Sequence, residues 1–155
     1  RLSDAKDYRF ARGSFEVNEA FRAKLISEEL PKIDRAIQCY AIDTIEIIGH
    51  TDSSPNTGMS NIDQYPKQEE LMTGFESIYA GSNADLGLLR AFSVQSLLQE
   101  KIGTGYPNLE FRSYSASSLI NPDKNYKDSA YLDKEKRRIE IRLTRRSRQS
   151  VINKC

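Results

Sequence analysis

Arg138-Ile139-Glu140-Ile141-Arg142-Leu143-Thr144 decides the fold class. Ile139, Ile141 and Leu143 point one way and the charged residues the other, a period of two. Such a strand belongs to a sheet with one buried face and one wet face. Two further stretches read as strands. Thr44 to Gly49 is β-branched and apolar, as a central strand is, and Leu109 to Tyr114 alternates. Tyr8 to Phe10 is expected to add a short first strand.

Helical spacing fills the gaps between them. From an N-cap at Asn18, Phe21, Leu25, Ile26, Leu30, Ile33 and Ile37 fall near one helical face. Pro31 interrupts this run and predicts a kink or two consecutive helices. A second helix is predicted from about Asn83 to Lys101, with Ala91, Val94, Leu98 and Ile102 in its stripe and Gly103 and Gly105 ending it. The resulting order is βαβαββ, an α/β (α+β sandwich) arrangement: about four strands in a mixed sheet packed on two main helices. Residues 53–82 are polar and rich in turn residues, too long for a plain loop, and read as an insertion. Leu71, Phe75, Ile78 and Tyr79 have helical spacing within it, although Gly74 weakens that helix.

The bulk numbers fit one domain over 1–148, with 149–155 as a flexible C-terminal tail. The 155 residues are 38% hydrophobic and 29% charged, with a net charge of +1. That size supports a real core, and balanced charge gives no general attraction for nucleic acid. No apolar run reaches the roughly 18 residues of a membrane helix. The chain begins at Arg1 and has no signal peptide, so the simplest reading is a fragment or processed domain whose targeting or membrane segment lies upstream. Cys39 and Cys155 can pair in an oxidising compartment; the alternative is a buried Cys39 and an incidental terminal thiol.

Asn83, Leu86 and Arg90 sit at i, i+3 and i+7, and the same row continues into apolar Val94 and Leu97. Arg90 is therefore expected to be partly buried. A desolvated guanidinium needs a carboxylate, backbone carbonyls or an anionic ligand. Asp52, just past the end of the second strand, is the nearest candidate partner. An internal Asp52–Arg90 salt bridge with no ligand remains an alternative to a binding site. His50 is the single histidine, so no histidine-based metal site is available. Glu69 and Glu70 diverge on any helix, the serines lack a nearby base, and no nucleophile elbow is present, which argues against an enzyme. Arg145, Arg146 and Arg148 form a basic tail that reads as solvated.

These same residues resemble a known family. Ile45-Glu46-Ile47-Ile48-Gly49-His50-Thr51-Asp52 is similar to the strand-plus-loop signature of OmpA-like domains. Asn83-Ala84-Asp85-Leu86-Gly87-Leu88-Leu89-Arg90-Ala91 resembles their Asn-x-x-Leu-Ser-x-x-Arg-Ala helix, and Lys136-Arg137-Arg138-Ile139-Glu140-Ile141 their closing strand. Phe10 through Phe15 resembles the opening strand and turn. The likeness covers roughly residues 8 to 144. It implies an OmpA/MotB C-terminal type domain, non-enzymatic and without a cofactor, which binds the diaminopimelate-containing stem peptide of peptidoglycan in the periplasm.

By that resemblance Asp52 receives the ligand's ammonium and Arg90 its carboxylate. A zwitterion calls for one carboxylate and one guanidinium, whose fork can donate two parallel hydrogen bonds. Asn83 and Leu86 would line the pocket, Arg137 would approach from the last strand, and Thr51 would add a hydroxyl or backbone contact. The sequence departs from the pattern in its long insertion, in Gly87 for the usual serine, and in Lys136 for asparagine. Insertion and tail tilt the resemblance toward a stator-type protein, dimeric and held to a membrane by a segment outside this chain, rather than a plain outer-membrane tether. The competing expectation is a protein-interaction module that uses 53–82 and carries a vestigial pocket. A wall-modifying enzyme ranks last.

Overall fold

This computed structural model describes residues 2–3, 8–121, 133–146 and 155. Its elements are β1 (Leu2–Ser3), α1 (Glu19–Lys24), α2 (Leu30–Tyr40), β2 (Thr44–His50), α3 (Gln68–Thr73), α4 (Asn83–Ile102), β3 (Glu110–Ser117), α5 (Asp133–Lys136) and β4 (Arg138–Thr144). The sheet runs in the order β1-β4-β2-β3. β2 pairs in parallel with β3, across the α4 crossover, and antiparallel with β4. This is the βαβαββ mixed sheet on two main helices that the patterning predicts.

Ile45 and Ile47 of β2, Phe111 of β3 and Ile139 of β4 meet Phe21, Leu25, Ile33 and Ile37 from the first helical layer and Val94, Leu97, Leu98 and Ile102 from α4. Alternation along each strand delivers these side chains to one face, and the 3.6-residue period delivers their partners. The other face carries the ion pairs Arg138–Glu140 and Arg142–Glu140.

Asn18 caps α1 as predicted, its side-chain oxygen accepting from the Phe21 N–H at 2.9 Å. The Pro31 expectation resolves into a specific device. A π-helical segment, Leu25–Glu29, joins α1 to α2, and the Leu30 N–H bonds back to the Leu25 carbonyl. Pro31 lies in the first turn of α2, so the wider π turn absorbs the disturbance its missing N–H and its ring would cause in an unbroken helix.

Tyr8 to Phe10 is not a strand. Leu2–Ser3 supplies the edge pairing, against Ile139 and Arg138. Tyr8 and Phe10 instead pack their rings on Phe21, with centroids 5.2 and 5.1 Å away. Aromatic burial, rather than backbone pairing, fixes this segment.

Gly49 and Gly87 bring α4 hard against β2. A Cβ on Gly49 would overlap the Gly87 carbonyl, and one on Gly87 would overlap Ser115 Oγ and come within 2.9 Å of the Gly49 carbonyl oxygen. Gly87, unfavourable within a helix by roughly 1 kcal/mol, is thus what this close approach requires.

The insertion is packed. Leu71 and Ile78 bury against Leu89 and Phe92 of α4, with Phe15, Ile62, Tyr65 and Phe75 around them. Its predicted helix is shorter than the spacing suggests: α3 ends at Thr73, Gly74 caps it, and a 3-10 turn covers Phe75–Ser77. Cys39, 4% exposed, is disulfide-bonded to Cys155, with Cα atoms 5.2 Å apart. The remainder of the expected tail, 149–154, lies outside the described residues.

Candidate functional site

The strand-end loop after β2, the first turns of α4 and the start of β4 converge on one cavity of about 350 Å³. Register explains the convergence. His50 pairs with Arg138 in the antiparallel β2–β4 ladder, so Arg137 lies beside Thr51 and Asp52. On α4 the i, i+3, i+7 row turns Asn83, Leu86 and Arg90 toward the same space. All six candidates, Thr51, Asp52, Asn83, Leu86, Arg90 and Arg137, line the cavity.

The charges pair differently from the expectation. Asp52 Oδ2 accepts from Arg137 Nη1 at 2.6 Å, and its Oδ1 accepts from the Ser54 N–H at 2.9 Å. Arg90, only 3% exposed, donates from Nε to the Ser14 carbonyl at 2.9 Å and from Nη2 to the Ala11 carbonyl at 3.5 Å. Its guanidinium carbon stands 4.9 Å from the centre of the Phe10 ring, within cation–π range. An internal Asp52–Arg90 salt bridge is therefore not how either charge is held. An ionised carboxylate has about four acceptor positions. Asp52 still has lone pairs for an incoming donor.

Burial would raise the Asp52 carboxyl, but the Arg137 hydrogen bond, the Ser54 N–H and hydroxyl, and the Arg137 charge outweigh it and hold the pKa below its ordinary 3.8. A proton then binds less tightly to the folded chain than to the unfolded one. The pair's contribution to stability is complete above 3.8 and is lost as pH falls through the depressed folded value. Asp52→Asn should therefore melt below wild type at neutral pH, with the gap closing under acid. A gap that stays constant in acid would contradict the ion pair.

Asn83 donates to the Ser54 carbonyl at 3.0 Å and the Asp52 carbonyl at 3.5 Å, holding the loop that carries the carboxylate. Thr51 is 3% exposed; its N–H is bonded to the Ser117 carbonyl, and its hydroxyl has no partner among the described residues. Lys136, where the family pattern has asparagine, is 3% exposed and donates to Ser53 Oγ at 3.0 Å. It ties down the loop from the other side. His50 lies outside the cavity lining, with Nε2 at 3.4 Å from Glu140 Oε1.

Sequence reasoning missed the wall built by Phe10, Arg12 and Gly13. It also left open where the insertion goes. Only its first residues, Ser54, Pro55 and Asn56, reach the cavity, as a wall. Asn56 anchors them by donating to the Ser82 carbonyl at 3.1 Å. A larger cavity of about 570 Å³ lies between Phe15, Phe75 and Leu97, bordered by the Arg22–Glu100 ion pair. Its carboxylates, Glu16 and Glu100, stand with a single guanidinium, Arg22, which Glu100 already pairs. It lacks the clustered arginines of the first, so size does not identify the site.

Among the described residues no His, Cys, Asp or Glu cluster could hold a metal ion, and no helix is long and apolar enough to cross a membrane. No protein-family model matches the chain, and no curated protein matches it by sequence. Solved structures do. The cell wall anchor of the T6SS from Pseudomonas aeruginosa is 24% identical, with a TM-score of 0.53 over 87% of this chain and 73% of that one. The C-terminal domain of Helicobacter pylori MotB, residues 125–256, is 20% identical, with a TM-score of 0.52 over 89% and 83%. The longer periplasmic domain of the same protein, residues 97–256, is 18% identical, with a TM-score of 0.53 over 84% and 71%. The chain shares their OmpA-like fold.

Proposed function

We propose that this domain holds peptidoglycan without making or breaking a bond, by gripping the diaminopimelate-bearing end of a stem peptide in the cavity around Asp52 and Arg90. One observation carries the reading: a depressed, partly buried carboxylate and buried or half-buried guanidinium groups line one cavity large enough for a small ligand. The ligand's ammonium would sit on the open lone pairs of Asp52 and its carboxylate among the arginines, with the Thr51 hydroxyl as a further hydrogen-bonding group. The names of its structural neighbours, a cell wall anchor and a MotB periplasmic domain, support the same assignment. On this reading the chain works in the periplasm as the wall-holding part of an envelope protein, and a stator-type dimer is one form it can take.

Asp52→Ala should abolish co-sedimentation with isolated diaminopimelate-type sacculi while leaving the circular dichroism spectrum unchanged. Undiminished binding by that variant would refute the assignment. Arg90→Ala is a weaker probe, because Arg90 also holds two backbone carbonyls and its loss threatens the fold.

A second reading has one observation behind it. Met59 and Tyr79 of the insertion are 89% and 64% exposed, apolar groups a protein partner could cover. Wall binding that survives loss of the Asp52 carboxylate would favour it.

A further inference from the structure

The cavity has more positive charge than a zwitterion needs. Its ionisable lining is Arg12, Arg90 and Arg137 against Asp52. Asp52 and Arg137 already compensate one another at 2.6 Å. Arg90 can serve one ligand carboxylate. That leaves Arg12.

Arg12 is placed by a built turn. Ala11 to Ser14 closes through the Ser14 N–H donating to the Ala11 carbonyl at 3.0 Å, and Gly13 takes φ +68°, a conformation that suits glycine. Arg90 binds the two carbonyls that flank this turn, Ala11 and Ser14, while its guanidinium lies by Phe10. The buried arginine thus fixes the loop that carries the exposed one. Arg12 itself lines the cavity and makes no ion pair with any described residue. A guanidinium held at the edge of an enclosed site, beyond the charges already balanced, is suited to a carboxylate.

We infer that Arg12 receives a second ligand carboxylate, so that the site selects stem peptides ending in a free diaminopimelate residue. This rests on the proposed function above. Such an end has one ammonium and one carboxylate at the side-chain terminus, and another carboxylate at the peptide C-terminus. One ammonium and two carboxylates match Asp52, Arg90 and Arg12. Amidation of the C-terminal carboxylate, or its extension by another residue, removes the charge that Arg12 would bind and leaves the zwitterion intact.

Calorimetry on the intact chain with two synthetic tripeptides, L-Ala-γ-D-Glu-meso-diaminopimelate and its C-terminal amide, tests the inference. Wild type should bind the free acid roughly tenfold more tightly, the scale of one charge-assisted contact. Arg12→Gln should bind both forms equally, at the level of wild type with the amide, and Arg12→Lys should recover part of the difference. Asp52→Ala should lose both ligands. Equal affinity of wild type for acid and amide, or an undiminished preference in Arg12→Gln, overturns the inference while leaving the binding function standing. No binding of either peptide by wild type overturns both.

Discussion

Gly49→Val should destabilise the chain by about 3 kcal/mol or more, at the upper end of what overpacking costs. The Cβ position overlaps the Gly87 carbonyl, and the next nearest atoms are the Gly87 carbonyl carbon at 2.7 Å and Cα at 3.1 Å. All three are backbone, so no rotamer change relieves the overlap. Relief requires α4 to lift from β2, which opens the core around Ile47, Ala91 and Val94 and shifts the cavity face of the same helix. Urea unfolding would show this as a large fall in midpoint, with Gly49→Ala giving a smaller loss of the same sign. Gly87→Ala should be milder but still destabilising. Its closest obstacle, Ser115 Oγ, is a side chain that can turn away, while the Gly49 carbonyl oxygen at 2.9 Å is backbone and cannot. A Gly49→Val variant as stable as wild type would mean that helix and strand are not in contact here.

Loss of the Cys39–Cys155 bond should cost about 2–5 kcal/mol, the range for removal of a native disulfide. The bond spans 116 residues, so it restricts the unfolded chain over most of its length, and loop-closure entropy grows with span. Cys39 is itself a buried residue of α2, off the face that Ile33 and Ile37 turn to the core. Cys155→Ser leaves that buried position intact and isolates the effect of the cross-link. Its urea midpoint should match that of reduced wild type, and both should fall below oxidised wild type. Identical midpoints for all three would show that the bond does not stabilise the fold by restricting the unfolded chain.

The sequence was most legible where one period governed a whole element. β4 alternates without exception from Arg138 to Thr144, and the structure gives that strand the same limits. The α4 row was read correctly because helical geometry alone places Asn83, Leu86 and Arg90 together, and buries Val94 and Leu97 beyond them. The partner of Asp52 was not legible. Choosing Arg137 over Arg90 needs the register of β2 against β4, and register follows from the packed sheet rather than from either strand alone. Tyr8 to Phe10 misled because three residues are too few to distinguish paired backbone from two aromatics buried on a helix. Arg12 left no periodic signal, since a turn residue gains its role from what holds the turn. Gly87, a mere departure from a pattern in sequence, acquired its reason only when Gly49 lay against it.

The central claim is that Asp52 and the arginines around it grip a stem-peptide end. The most direct test is co-sedimentation of wild type and Asp52→Ala with isolated diaminopimelate-type sacculi, run beside a thermal melt of each. Wild type should pellet with the sacculi, and folded Asp52→Ala should stay in the supernatant. Wild type left in the supernatant, or folded Asp52→Ala in the pellet with it, would contradict the claim.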